Sequence, residues 1–246
     1  MNIFIIGGTS GIGLALASYY YLQGNRVGVC GRDLQKLADE SRFEKYQADV
    51  SNIVQLQNVI QQFVGERALS LLINCAGSYA EDVADDISYE EAVAMLQTNI
   101  MGAVNCLEVG RKAMCHTGGQ IVLLASISGI LDYPESSLYT KTKRSVIQIA
   151  DAYRRALRRY GITITTIAPG YVDTQKLRDL NHNDLSKKPF LVTEAQAVRE
   201  ISQAITEKKA LLLFPKRMKW LMRFLSYMPS FVLSKIMYKK AHYMKK

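Results

Sequence analysis

Short apolar runs alternate along the chain with stretches whose apolar residues recur every three to four positions, and glycines mark most of the changes. Asn2–Ile6 is apolar and rich in β-branched residues, and it ends at glycines. From Ile12 onward Leu14, Ala15, Leu16, Tyr19 and Tyr20 follow at helical spacing, so the segment predicts strand, glycine turn, helix. Gly24-Asn25 closes that helix and residues 26–30 read as a second strand. Residues 43–48 predict a third strand and Ile53–Val64 a helix, with Ser51 its expected N-cap. Residues 69–73 are continuously apolar, as in a strand buried on both faces of a parallel sheet. A long helix is expected over 89–112, although Asn99 and Gly102 in its interior are poor helix formers. That local conflict points toward function.

Further on, residues 121–124 and 163–167 predict strands five and six, separated by a helix that runs from Tyr139 to Tyr160. Thr193 caps a helix expected over 193–208, and residues 210–214 form a seventh strand. Repeated alternation of strand and helix predicts an α/β fold: a doubly wound sheet of parallel strands with right-handed crossovers. The ligand crevice of such a sheet lies at the strand carboxyl ends, and Gly7 to Gly13, Asn74 to Gly77, Ser126 and Pro169-Gly170 all fall there. A length of 246 residues fits one such domain, expected over 1–215, followed by an extension over 216–246.

Charge changes the picture only at one end. The net charge of +9 arises from 31 Lys and Arg against 22 Asp and Glu. Residues 208–246 hold 11 of the cations and no acid, which leaves the first 207 residues with 20 cations against 22 acids. A nearly neutral body argues against a nucleic-acid enzyme. Cys30, Cys75, Cys106 and Cys115 form no C-x-x-C pair, and with three histidines no metal cluster is expected. They read as reduced thiols of a cytoplasmic protein. The apolar first twenty-two residues lack a basic leader and are broken by glycines, so they are expected to be fold rather than signal peptide.

Three stretches carry candidate chemistry. In Gly7-x3-Gly11-Ile12-Gly13 the glycines permit a tight turn and let a pyrophosphate sit on the amides of the helix N-terminus, with Thr9 and Ser10 inside the loop. After the second strand, where an acid would bind a ribose 2′-hydroxyl, the sequence has Gly31 and then Arg32, which suits a 2′-phosphate and favours NADP (NADPH) over NAD. Finally, Tyr139 and Lys143 are one helical turn apart, with Ser126 thirteen positions earlier and Lys141 on another face. A cation beside a phenol favours the phenolate, and lowering the phenol by three units takes about 4 kcal/mol, which two charges about 4 Å apart supply at an effective dielectric near 20. The spacing alone is unspecific, because 14 tyrosines and 17 lysines placed at random over 246 positions produce roughly one such pair.

Taken together these elements resemble the short-chain dehydrogenase/reductase family, in its subtype of about 250 residues. The match spans residues 2–215 and includes the glycine turn, Asp49-Val50, Asn74-Cys75-Ala76-Gly77, Asn99, Ser126, Tyr139-x3-Lys143 and Pro169-Gly170 with Val172 and Thr174. Ile6, Cys75 and Ala168 depart from the family pattern but remove no reacting group. The resemblance implies a Rossmann-type doubly wound sheet of about seven parallel strands and a catalytic tetrad of Asn99, Ser126, Tyr139 and Lys143. It also implies adenine contacts at Asp49 and Val50, cofactor contacts along Asn74, Ala76 and Gly77 and at Tyr139, Pro169 and Gly170, a bond from Lys143 to the nicotinamide ribose, and a hold on the carboxamide end by Val172 and Thr174. The implied activity is NADPH-dependent reduction of a ketone or aldehyde, with a homodimer or homotetramer as the expected assembly. Two other readings stay open: an NADP-binding sensor or scaffold without turnover, and a reductase of carrier-bound 3-oxoacyl groups.

Residues 174–193 form a short polar segment where the family covers its substrate; His182 within it is expected in solvent, and Tyr133 is expected either to line the pocket or simply to pack. Beyond Pro215, where chains of this family usually end, Met218, Leu221, Met222, Phe224, Leu225 and Met228 fall on one broad helical face, with Lys216, Lys219 and Arg223 opposite. Membrane-surface contact at the inner face of a membrane, packing on the body or over the substrate pocket, an oligomer contact and binding of an anionic partner are all compatible with that pattern. If lipid is the answer, a lipophilic small-molecule substrate becomes the expectation.

Overall fold

β1 (Asn2–Ile6) is apolar on both sides because both sides are covered: Ile3 and Ile5 face one core, Phe4 and Ile6 the other, and none is more than 1% exposed. The computed structural model describes residues 1–38, 40–80, 87–134 and 136–243, with side chains through residue 236. After β1 come α1 (Gly11–Leu22), β2 (Arg26–Gly31), β3 (Glu44–Gln47), α2 (Ile53–Val64) and β4 (Leu71–Asn74). α3 (Tyr89–Leu96), α4 (Gly102–Met114), β5 (Gly119–Leu124), α5 (Leu138–Leu157) and β6 (Ile162–Pro169) follow. The remainder is β7 (Val172–Asp173), α6 (Gln175–Asp179), β8 (Val192–Thr193), α7 (Glu194–Thr206), β9 (Leu211–Phe214), α8 (Lys216–Leu225) and α9 (Ser230–Tyr243).

Among the described residues the main sheet has seven parallel strands in the order β3-β2-β1-β4-β5-β6-β9. α2, α4 and α5 cover one face and α1 and α7 the other. The order reverses between β1 and β4, and a crevice opens at such a switch point, outside the strand carboxyl ends. Val172 pairs with Val192 in a separate two-stranded ladder, which ties together both ends of the 174–193 segment.

Three expectations are corrected. Asn52, not Ser51, caps α2: its Oδ1 accepts the Val54 and Gln55 amides at 3.1 Å each, while the Ser51 hydroxyl is committed to Asp49 Oδ1 at 2.7 Å. The helix expected over 89–112 is interrupted by a π-turn, Gln97–Met101, that centres on Asn99. In the tail, the predicted apolar face is divided. Met218 is buried and Met222, Leu225 and Met228 are half-buried, whereas Leu221 and Phe224 are exposed. Lys245 and Lys246, counted in the basic tail, lie outside the described residues.

Candidate active site

The turn after β1 packs backbone against backbone. Gly7 has φ 73°, a Cβ there would lie 2.6 Å from the Ala76 amide nitrogen, and a Cβ on Gly13 would run into the Gly7 carbonyl oxygen. Asn74 fixes the opposing loop, its Oδ1 accepting the Ala76 amide at 3.0 Å and its Nδ2 reaching the Gly102 carbonyl at 3.4 Å. At the head of α1, Ser10 occupies the N-cap position but its hydroxyl caps no first-turn amide, unlike Asn52, Ser88, Ser137, Thr174 and Thr193 on their helices. Those amides are left for an anion. Thr174 approaches from the far side, its Cγ2 3.6 Å from where a Gly11 Cβ would stand. Thr9 packs against Gly31 at the end of β2, and Ile12 turns into the core on the α1 side.

Beyond β2 and β3 lies a cavity of about 390 Å³ lined by Arg32, Gln47, Ala48, Asp49 and Gln55. Gln47 Nε2 donates to the Arg32 carbonyl at 3.0 Å, and Asp49 Oδ1 accepts the Ser51 amide at 2.8 Å, so the rim is held from both strands. Arg32 is exposed at this rim, and Val50 is buried beneath it, its carbonyl accepting from Asn105 Nδ2 at 3.0 Å.

The other end of the crevice is built by β5, α5 and the π-turn. Ser126 Oγ accepts from the Ser128 amide at 3.2 Å and from Ser128 Oγ at 3.0 Å, and Ser126 shares a hydrogen bond with the Tyr139 phenol. Lys143 is 5% exposed; its Nζ lies 5.8 Å from the centre of the Tyr139 ring and donates to the Leu124 carbonyl at 3.2 Å. Lys141, by contrast, turns away to the Tyr133 carbonyl and Asp132. Tyr79 meets the Tyr139 ring edge-on at 5.0 Å. The buried Asn99 accepts the Ser78 amide at 2.9 Å and donates to the Ser78 carbonyl and to Thr142 Oγ1, both at 3.0 Å. Thr142 Oγ1 passes the link to the Tyr139 carbonyl at 2.8 Å. The π-turn therefore aims one amide at two segments, the loop after β4 and the first turn of α5. Pro169 ends β6, Gly170 donates its amide to the Phe214 carbonyl at 2.8 Å, and Val172 is buried. His182 is exposed in a turn at φ 51°.

Electrostatics here differ from what spacing alone suggests. Burial pushes the Tyr139 phenol up to about 12, against the opposite pull of Ser126. Burial also pushes the Lys143 ammonium down to about 8, and repulsion from Lys176 adds to it. Desolvation of both groups outweighs the pairing that spacing suggests, and the ammonium, 5.8 Å from the ring centre, is bonded to the Leu124 carbonyl.

Sequence reasoning does not single out Lys176 or Lys36. Lys176 Nζ crosses the crevice to the Gly77 carbonyl at 3.0 Å, and a Cβ on Gly77 would lie 3.1 Å from Lys143 Nζ. Burial first, then Arg32 and Lys36, lower the Lys176 pKa. Arg32, Lys36, Lys176 and Lys143 thus form a row of mutually repelling cations, and among the described residues none of the four has an ion-pair partner. The available signal was position: Lys176 stands two residues after Thr174, on the turn that brings Thr174 to Gly11. A glycine floor, uncapped amides and unpaired cations fit a phosphate-bearing dinucleotide.

Comparison with known proteins agrees with this geometry. The family model for short chain dehydrogenases matches residues 1–185. An uncharacterized oxidoreductase of Staphylococcus haemolyticus (strain JCSC1435) is 33% identical over 178 residues, 69% of this chain and 77% of its own. One from Staphylococcus aureus (strain USA300) is 29% identical over 216 residues, 83% of this chain and 90% of its own. Among solved structures, ElxO with NADP bound superposes with a TM-score of 0.76 at 26% identity, covering 86% of this chain and 96% of that one. A short chain dehydrogenase from Burkholderia cenocepacia J2315 shares the fold, with a TM-score of 0.81 at 19% identity and 95% of each chain covered. With three quarters of its length matched and the glycine turn, crevice and sheet order in place, the chain belongs to the short-chain dehydrogenase family.

Proposed function

We propose that the protein binds NADPH in this crevice and reduces a ketone or aldehyde to the alcohol. The observation that carries this reading is the meeting of Ser126, Tyr139 and Lys143 beyond β5, at one end of an unpaired row of cations. When bound, the nicotinamide supplies the hydride. The chain supplies position and the proton. As negative charge gathers on the carbonyl oxygen, Tyr139 donates its proton to it as general acid. A phenol held near about 12 retains that proton across the working pH range. Ser126 has its lone pairs engaged by Ser128, so its hydroxyl proton, shared with the Tyr139 phenol before substrate binds, is the group that turns to the carbonyl oxygen. Lys143, cationic below about pH 8, stabilises the phenolate that the transfer leaves behind. Asn99 acts through Ser78 and Thr142 as a positioning residue.

The cation row supports a placement of the phosphates. Arg32, at the 390 Å³ cavity, suits a 2′-phosphate, Lys36 adds positive potential towards Lys176, and Lys176, between Gly77 and Thr174, suits the pyrophosphate. That ElxO was solved with NADP supports the choice of cofactor. Titration of nicotinamide fluorescence separates the two roles. Arg32→Ala is expected to weaken NADPH about 10- to 100-fold and leave NADH within about twofold, since one charge-assisted contact is worth roughly 1.5–3 kcal/mol. Lys176→Met is expected to weaken both cofactors by a similar factor, of about ten. Equal losses of NADPH and NADH in Arg32→Ala would remove Arg32 from the 2′-phosphate. The function itself is tested by NADPH consumption over a panel of ketones and aldehydes, long-chain ones included. Tight NADPH binding with no consumption on any of them would overturn the reductase reading in favour of a binding protein.

A further inference from the structure

α8 is held to the body by one side only. Met218 is buried, its Sδ 2.5 Å from where a Gly170 Cβ would stand, and Leu233 anchors α9. The opposite side carries large aromatic residues without cover: Trp220 is 67% exposed, Phe224 65%, Tyr227 77% and Phe231 73%. At about 100° per residue, Trp220 and Phe224 fall within about 40° of one another around α8, and Tyr227, in the turn just past its end, and Phe231, in the first turn of α9, add two more exposed aromatics close by in the chain. Arg217 borders this stripe on one side and Lys216, Lys219 and Arg223 on the other. No acid occurs anywhere in residues 208–246.

We propose that this stripe docks on an anionic lipid surface, the aromatic rings entering the headgroup layer and the flanking cations meeting lipid phosphates. Isolated exposed apolar residues are ordinary, but aligned aromatics rimmed by charge mark an interaction face. Tryptophan and tyrosine favour a membrane interface, where one edge of the ring is apolar and the other wet. The charge pattern selects the occupant. A two-fold contact with a second copy, centred on the stripe, would set one acid-free cationic rim against the same rim of the other copy, whereas an anionic bilayer pairs with all of its cations at once. Among the described residues no helix is long and apolar enough to cross a membrane, so the contact lies in the interface plane. α8 also packs against the Ile127–Ile130 turn that follows Ser126, so docking brings lipid to the substrate side of the crevice.

Trp220 is the sole tryptophan of the chain, so its emission reports the contact directly, with no dependence on catalysis. The full-length protein is mixed with vesicles of phosphatidylglycerol and phosphatidylcholine, or of phosphatidylcholine alone. A blue shift and co-sedimentation are expected with the anionic vesicles and are weakened by added salt. Arg217→Glu with Arg223→Glu should lower partitioning at least about twentyfold. Trp220→Ala with Phe224→Ala, followed by sedimentation, should give a loss of similar size; both pairs are exposed, so an unchanged thermal unfolding curve controls for folding. Three results overturn the proposal. One is Trp220 emission indifferent to anionic vesicles. Another is a blue shift without lipid that grows with protein concentration as the mass doubles, which assigns the face to a second copy. The third is a response to single-stranded oligonucleotide but not to vesicles.

Discussion

Tyr139→Phe is expected to lower kcat for carbonyl reduction about a thousandfold while NADPH binds with its wild-type affinity. General acid catalysis by a positioned side chain contributes roughly 10² to 10⁴, and the phenylalanine removes only the proton that this catalysis uses. The ring itself has other partners that survive the change: the edge-on contact with Tyr79 at 5.0 Å and the Lys143 ammonium at 5.8 Å. The hydrogen bond to Ser126 is lost, but Ser126 keeps both Ser128 donors behind it and can still hold a substrate oxygen. Binding should therefore persist and turnover collapse. Steady-state rates with the best substrate of the panel, set beside an NADPH titration of the same preparation, make the comparison. A variant that kept turnover within tenfold of wild type would show that the proton comes from another group.

What the sequence made legible followed from period and punctuation. β1 could be placed because four consecutive apolar residues before a glycine turn leave no exposed face, and the structure buries all four. Tyr139 and Lys143 could be paired because helical spacing puts them on one face and Lys141 on another. The environment of that pair could not be read in the same way. Spacing gives a distance between charges but not the desolvation each suffers, and here desolvation decides both pKa values. Asn99 shows a different limit. Its unfavourable place in a helix was visible, but the π-turn exists to serve Ser78 and Thr142, which lie 21 and 43 residues away in the chain. Ser51 and Asn52 are adjacent plausible caps, and only the commitment of Ser51 to Asp49 settles between them. On α8, a helical wheel collects the apolar positions without knowing that the body covers Met218 and leaves Phe224 bare.

Lys143→Met is expected to make the cofactor-free protein more stable and nearly inactive. The folded protein lowers the Lys143 pKa from 10.5 to about 8, so at neutral pH it keeps an ammonium in a site that disfavours it by about 3 kcal/mol. Methionine matches the aliphatic stem and carries no charge; it forfeits the bond to the Leu124 carbonyl, which is worth about 1 kcal/mol. A net gain of about 2 kcal/mol raises Tm by roughly 5 °C for a domain of this size. The sign with pH follows from linkage. Below about 8 both folded and unfolded chains carry the charge, so the wild type bears the full penalty; between about 8 and 10.5 the unfolded chain binds more protons, and wild-type stability rises. The advantage of Lys143→Met should therefore be largest at pH 7 and shrink as pH approaches 10.5. Urea denaturation of both proteins at several pH values reads it directly. A variant less stable than wild type at pH 7, or a difference that ignores pH, would mean that the ammonium is already well satisfied in the empty crevice. The expected result instead identifies Lys143 as a charge whose favourable partners arrive only with the ligand, stored in the fold at the expense of stability.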